Sequence, residues 1–284
     1  MNLILQSPAN ATDHAAVEHI ATLAGAARAE ALSAHAWRCE GVTYSPALKE
    51  TVDAACLAAR LDYAFVPPGR KLSEFKLLAM DMDSTLITIE CIDEIADMQG
   101  LKPQVAAITE AAMRGEIEFR ESLTRRVALL KGLDTGALQR VYQERLRLSP
   151  GAEPLLAAAK AAGLKTLLVS GGFTYFTERI GERLGLDYTH ANLLEEAGGK
   201  LTGRVVGEIV DADEKRRTVE RVCDELGIEA AQAIVMGDGA NDLKMMAIAG
   251  LSVAYRAKPV VRAQASVALN FVGLDGVLQL FDGA

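Results

Sequence analysis

Leu77-Leu-Ala-Met-Asp-Met-Asp-Ser-Thr-Leu86 is the stretch on which the reading of this chain turns. A short apolar run, Leu77 to Met80, ends on two carboxylates one residue apart, Asp81 and Asp83, and Ser84 and Thr85 follow at once. A strand covered on both faces reads as an unbroken apolar block, so Leu77–Met80 predicts a buried parallel strand. Open α/β sheets bind their ligands beyond the carboxyl ends of such strands. Two acids this close cannot both be cheap to desolvate, so a cation, a metal ion first of all, is expected beside them.

The same pattern recurs further along. Leu164–Val169 predicts a strand that ends in Ser170-Gly171-Gly172-Phe173 before a helix. A hydroxyl and two glycines there suit phosphate binding through backbone N–H groups, although a tight turn alone would also use the glycines. Ala233–Met236 predicts another strand, running into Gly237-Asp238-Gly239-Ala240-Asn241-Asp242, where glycines permit close backbone approach. Between them, Asp211-Ala212-Asp213 opens a helix with Lys215 in its first turn. An ammonium at that end opposes the helix macrodipole and calls for an anionic partner. With strands at Asp187–Leu194, Gly199–Val206, Gly250–Ala254 and Ser266–Leu269, the alternation from Leu155 onward predicts an α/β, doubly wound, mainly parallel sheet.

Strand signals are missing from about Cys91 to Leu148. Helical spacing over Cys91–Gln99, Pro103–Arg114, Phe119–Leu130 and Thr135–Arg145 predicts a cap inserted at about residues 89–149, placed to close over the strand ends and exclude water. Arg125 and Arg126 lie side by side in it, and Glu90 precedes its first helix. Taken alone, the arginines read as a solvated face and the acid as a helix cap.

Residues 1–70 read as a separate α+β unit and residues 71–284 as the main domain. Strands at Asn2–Gln6, Arg28–Ser33, Ala34–Glu40 and Tyr63–Val66 alternate with helices from Asp13 and from Ser45-Pro46. Pro67–Lys71 reads as a linker. That ferredoxin-like order resembles the ACT family of small-molecule-sensing domains. An amino-acid effector site and a packing module that builds a homodimer stand as equal readings, since fold alone implies little about function. His14, His19 and His35 read as surface residues, because His14 and His19 miss the i, i+4 spacing of one helix face. Trp37 reads as core or interface.

The 284 residues are 50% hydrophobic, ample for a core, and 38 acidic residues against 30 basic ones give a net charge of −8. The basic residues are scattered, which argues against nucleic acid as a partner. Four cysteines without metal-finger or CxxC spacing read as reduced thiols of a cytoplasmic protein. No apolar run approaches the ~18 residues of a membrane span.

In order, DMDST, SGG, a lysine at a helix start and GDGAND form the motif set of the haloacid dehalogenase (HAD) superfamily of phosphohydrolases. The chain resembles that family over roughly residues 77–284, cap included, and the stretches DMDSTLITIECIDEIA and GDGANDLKM resemble members that act on phosphoserine. The resemblance implies an aspartyl-phosphate mechanism with Asp81 as nucleophile and Asp83 as proton donor and acceptor. It implies Mg2+ held by Asp81, the backbone carbonyl of Asp83 and Asp238, with Asp242 supporting the site. Ser170, the Gly171 amide and Lys215 would hold phosphate oxygens, and Asn241 would face the substrate. Glu90 would take the substrate ammonium and Arg126 its carboxylate, a task suited to a guanidinium fork. Met113 and Phe119 would be the apolar residues that close over the site. The implied reaction is hydrolysis of O-phospho-L-serine to L-serine and phosphate, the last step of serine biosynthesis. The competing readings are another small-phosphate-ester hydrolase of the superfamily, a phosphotransferase with homoserine as acceptor, and a regulatory binding protein with an inactive phosphatase fold.

Overall fold

The computed structural model describes residues 1–9, 13–113 and 116–283, without the side chain of Met113. The chain begins with β1 (Asn2–Gln6), α1 (His14–Leu23), β2 (Arg28–Ser33), β3 (Ala36–Glu40), α2 (Pro46–Ala59) and β4 (Asp62–Val66). Local chemistry sets the two helix starts. The Asp13 carboxylate accepts from the Ala16 N–H, and Ser45 caps α2 with Pro46 in its first turn. The four strands pair antiparallel in the order β2-β3-β1-β4, and both helices cover one face through Leu5, Val17, Ile20, Trp37, Val52 and Cys56. Trp37 is therefore core, whereas His14 and His19 are exposed.

The larger part opens with β5 (Leu77–Met80), followed by α3 (Cys91–Asp97), α4 (Lys102–Met113), α5 (Phe119–Leu129) and α6 (Gly136–Arg140), which runs into a wider turn over Val141–Arg145. Then come α7 (Ala152–Ala161), β6 (Lys165–Phe173), α8 (Thr174–Leu184), β7 (Tyr188–Ala197), β8 (Lys200–Val206), α9 (Ala212–Leu226), β9 (Ala233–Gly237), α10 (Leu243–Met246), β10 (Leu251–Tyr255), α11 (Pro259–Arg262) and β11 (Val267–Leu269). Strands β11-β10-β9-β5-β6-β7 are parallel, with β8 antiparallel at the far edge. This is an α/β fold with a mostly parallel central sheet.

β5 lies near the middle of this sheet, and its alternate side chains enter two different cores. Leu78 and Met80 pack with cap and loop residues such as Leu86 and Ile92, while Leu77 and Ala79 pack with Val219 and Val222 of α9. Burial on both faces is why the strand carries no polar alternation.

The N-terminal strands join the edge of the main sheet. β4 pairs with β11 through Tyr63 and Ala268, so one sheet of 11 strands runs across the molecule. The buried Asp62 carboxylate reinforces the join by accepting from the backbone N–H groups of Asn270, Phe271 and Val272 at 2.8–2.9 Å. The stretch Pro67–Lys71 connects the two parts as an irregular segment and is fastened at Arg70. The Arg70 carbonyl accepts from Asp282 N–H at 2.8 Å, and its guanidinium lies over the Phe75 ring. Finally, Ser170-Gly171-Gly172 is not a tight turn after a strand. It is the irregular end of β6 itself, where register with β7 shifts between Val169 and Phe173. Among the described residues, no helix is long and apolar enough to cross a membrane.

Candidate active site

The carboxyl ends of β5, β6 and β9 converge on one point. Beyond Asp81 the chain makes a compact loop, closed by Leu86 N–H to the Asp81 carbonyl and Ile87 N–H to the Met82 carbonyl. Within it Ser84 takes φ 56°, a conformation that L-residues hold only when their surroundings compel it. This bend presents Asp83 sideways. One carboxylate oxygen accepts from Cys91 N–H at 2.8 Å and the other from Ser170 Oγ at 3.3 Å. Burial raises the Asp83 pKa, with the Cys91 amide pulling the other way.

Two glycines make the approach possible. A Cβ on Gly172 would stand 2.5 Å from Asp83 Oδ2, and one on Gly171 would stand 3.0 Å from the Phe119 ring of the cap. Ser170 is fully buried and accepts from Gly172 N–H at 2.8 Å.

The cation called for by the paired acids is partly the chain's own. Lys215 is fully buried, and its Nζ lies 2.6 Å from Asp81 Oδ1 and 2.7 Å from Asp242 Oδ1. Asp211 starts α9 by accepting from the N–H groups of Asp213 and Glu214, and that start aims Lys215 inward. Lys215, expected on phosphate oxygens, bridges two carboxylates in the structure. Burial alone would lower its pKa, but Asp242 and Asp81 outweigh this and hold the ammonium above the ordinary lysine range. Asp242 is fixed further by accepting from Asp238 and Gly239 N–H groups at 3.1 and 3.0 Å. Thr85 Oγ1 reaches Asp238 Oδ1 at 3.4 Å.

Asp81, Asp238 and Asp242 each offer an oxygen within 4.8 Å of the others. One lysine cannot neutralise three acids. Burial, then the Asp242 charge, push the Asp81 pKa well above the carboxylate range against the pull of Lys215, and the same two causes push Asp238 up to about 6. The donors are all hard oxygens, and the surplus of negative charge is what a divalent cation would relieve. The cluster therefore fits such an ion. Asn241 lies half-buried beside it, its Oδ1 where a Cβ on Gly239 would collide.

The cap supplies the opposite wall. Glu90 is exposed at the mouth of the site and accepts from Ser84 Oγ at 2.6 Å, while the inner side of its carboxyl, packed against protein with Asp83 beside it, pushes its pKa up to about 7. Arg125 is exposed and paired with Glu121 along α5, a plain helix-face ion pair. Arg126 is half-buried, where burial lowers its pKa against the fields of Asp93, Glu90 and Asp83. Tertiary position thus separates two neighbours that sequence could not. The Met113 side chain lies outside the described residues.

Two features went unread in the sequence. Arg120 of α5 donates to Asp211 at 2.5 Å and reaches Glu208, fastening the cap to the start of the lysine helix. Asn192 of β7 is buried and bonds both Gly171 and Val210. An arginine among charged neighbours carries no signal, but asparagine inside a strand is disfavoured and could have been noticed.

The family described as haloacid dehalogenase-like hydrolase matches residues 75–250, and a domain of unknown function matches residues 3–52. A phosphoserine phosphatase from Polaromonas sp. is 62% identical over 75% of this chain and 92% of its own. A phosphoserine phosphatase from Haemophilus influenzae is 45% identical over 85% of this chain and 75% of its own. The crystal structure of a HAD-family hydrolase from Salmonella enterica serovar Typhi superposes with TM-score 0.89 at 33% identity, covering 100% of this chain and 99% of that one. The chain belongs to the haloacid dehalogenase-like hydrolase family and, within it, to the phosphoserine phosphatases.

Proposed function

We propose that the chain hydrolyses O-phospho-L-serine to L-serine and phosphate through a phosphorylated Asp81. Asp81 Oδ forms the new P–O bond as the bond to the seryl oxygen breaks, and Asp83 gives that oxygen its proton. Asp83 then takes a proton from the water that attacks the phosphoryl group, and Asp81 is regenerated. A raised Asp83 pKa suits a group that must carry a proton at the start of this cycle. Phosphate esters resist attack because their oxygens are charged, so positioning and charge neutralisation do most of the work.

The observation that carries this reading is the Lys215 bridge, which draws the end of β5 and the loop after β9 onto one buried point. Lys215, Ser170 and the Gly171 amide would hold phosphate oxygens once substrate enters. Asp81, the Asp83 carbonyl and Asp238 would hold Mg2+, with Asp242 in support. That ion would supply positive charge to the phosphoryl oxygens when bound. Glu90 would receive the ammonium and Arg126 the carboxylate, while Phe119, together with Met113, would close the apolar side and Asn241 would face the substrate. One phosphorylated amino acid needs all three kinds of partner, and these residues would supply each.

The wider proposals follow from the same reading. Residues 1–70 would act as an ACT-like module, as an amino-acid effector site or as a homodimer contact, and residues 71–284 as the phosphatase domain with its cap at about 89–149. Four buried, unpaired cysteines favour a reducing cytoplasm.

The deciding experiment measures phosphate released from O-phospho-L-serine with Mg2+, beside Asp81→Asn, with and without homoserine. Release by wild type, none by the variant and no phosphohomoserine is the expected result. Equal inactivity of both proteins across a panel of phosphate esters would refute the enzyme, and phosphohomoserine formation would make it a transferase.

A further inference from the structure

We propose that Asn192 is a positioning residue that sets the distance between the phosphate-facing end of β6 and the start of the lysine helix. This rests on the reading of the site given above. Asn192 lies on β7 and is 1% exposed, and both ends of its amide are committed. Its Nδ2 donates to the Gly171 carbonyl at 2.8 Å, and its Oδ1 accepts from the Val210 N–H at 2.9 Å.

Each partner stands next to the chemistry. Gly171 lies where β6 and β7 fall out of register, so its carbonyl sits in a stretch without regular ladder pairing, and the Asn192 side chain meets it. Val210 directly precedes Asp211, whose side chain caps α9 and whose carbonyl accepts from the Lys215 N–H at 2.9 Å. The Val210 carbonyl itself stands 3.6 Å from where a Gly171 Cβ would be. One side chain therefore pins two backbone segments that meet face to face. One segment bears Ser170 and the Gly171 amide, and the other bears Lys215. Asn192 touches no reacting atom, so its effect on chemistry passes through those groups.

A small displacement is enough to matter, because a misplacement of about 1 Å can slow a positioned reaction by about a hundredfold. The test uses the full chain with Mg2+. It compares wild type, Asn192→Ala and Asn192→Asp for hydrolysis of O-phospho-L-serine, inhibition by inorganic phosphate, inhibition by L-serine, and melting temperature. Asn192→Asp keeps the shape and the acceptor for Val210 but loses the donor to Gly171.

In both variants kcat is expected to fall and the phosphate inhibition constant to rise, each by about ten- to a hundredfold, while L-serine inhibition stays within about twofold. A purely structural role would reduce the amount of active protein and leave both inhibition constants where they were. Phosphate inhibition within about twofold of wild type in a folded variant overturns the proposal. Loss of folding in both variants assigns Asn192 to the fold alone and overturns it too. A wild type that releases no phosphate from O-phospho-L-serine overturns the underlying function, whereas an active wild type with unchanged variants overturns only the role of Asn192.

Discussion

Replacing Lys215 with methionine tests the electrostatic core of the site without reference to catalysis. The methionine fills most of the same space but leaves Asp81 and Asp242 close together in a site that is almost wholly buried. The lost contacts are 2.6 and 2.7 Å long, to side chains 7% and 0% exposed. Removing one partner of such a buried pairing costs about 3–5 kcal/mol, because the uncompensated charge remains. At roughly 2–4 °C per kcal/mol for a domain of this size, the melting temperature should fall by about 6–20 °C. The sign with pH is fixed by the raised Lys215 pKa. The ammonium stabilises fully below the ordinary lysine value of 10.5, and that stabilisation is lost only as pH rises through the higher folded value. The assay is thermal and urea unfolding at neutral pH in chelator, then in Mg2+. Loss of the ammonium leaves the acid cluster more negative and should tighten Mg2+ binding, so at one Mg2+ concentration the ion should restore more stability to Lys215→Met than it adds to wild type, about 2.7 kcal/mol where it stands at a hundred times its Kd. A variant within about 1 kcal/mol of wild type in chelator would refute the reasoning, because a dry, unpaired acid pair cannot be that cheap.

Three further outcomes are expected. Asp62→Ala should cost about 3 kcal/mol in urea unfolding, since it strands the N–H groups of Asn270, Phe271 and Val272. Gly172→Ala should lower kcat on O-phospho-L-serine by about a hundredfold, because its Cβ would stand 2.5 Å from Asp83 Oδ2 and must push that carboxylate aside. Glu90, with its pKa pushed up to about 7, becomes the anion that can pair with an ammonium only as pH rises through that value. So kcat/KM for O-phospho-L-serine should climb toward pH 7, Glu90→Gln should lose that limb, and p-nitrophenyl phosphate, which has no ammonium, should respond equally in both proteins.

What the sequence by itself determined lies close to single strands and their ends. Leu77–Met80 is apolar without alternation because both faces are covered, and the acids, serine and glycines at the carboxyl ends of β5, β6 and β9 are the pattern expected where ligands meet an open sheet. Helix starts at Asp13, Ser45 and Asp211 were legible because capping is local chemistry, a side chain bonding an amide two or three residues on. Tertiary structure decided the rest. Arg125 and Arg126 are neighbours with the same side chain, and only the packing of α5 turns one to solvent and the other toward Asp93, Glu90 and Asp83. Lys215 gave notice of an anionic partner, but its bond to Asp81 joins residues 134 positions apart, which no local pattern encodes. Nothing in Tyr63 or Ala268 announces the single pairing that joins the N-terminal strands to the edge of the main sheet. Backbone conformation and capping depend on a few adjacent residues, whereas ion pairs, sheet joins and the dry pocket that strengthens them exist only once distant segments meet.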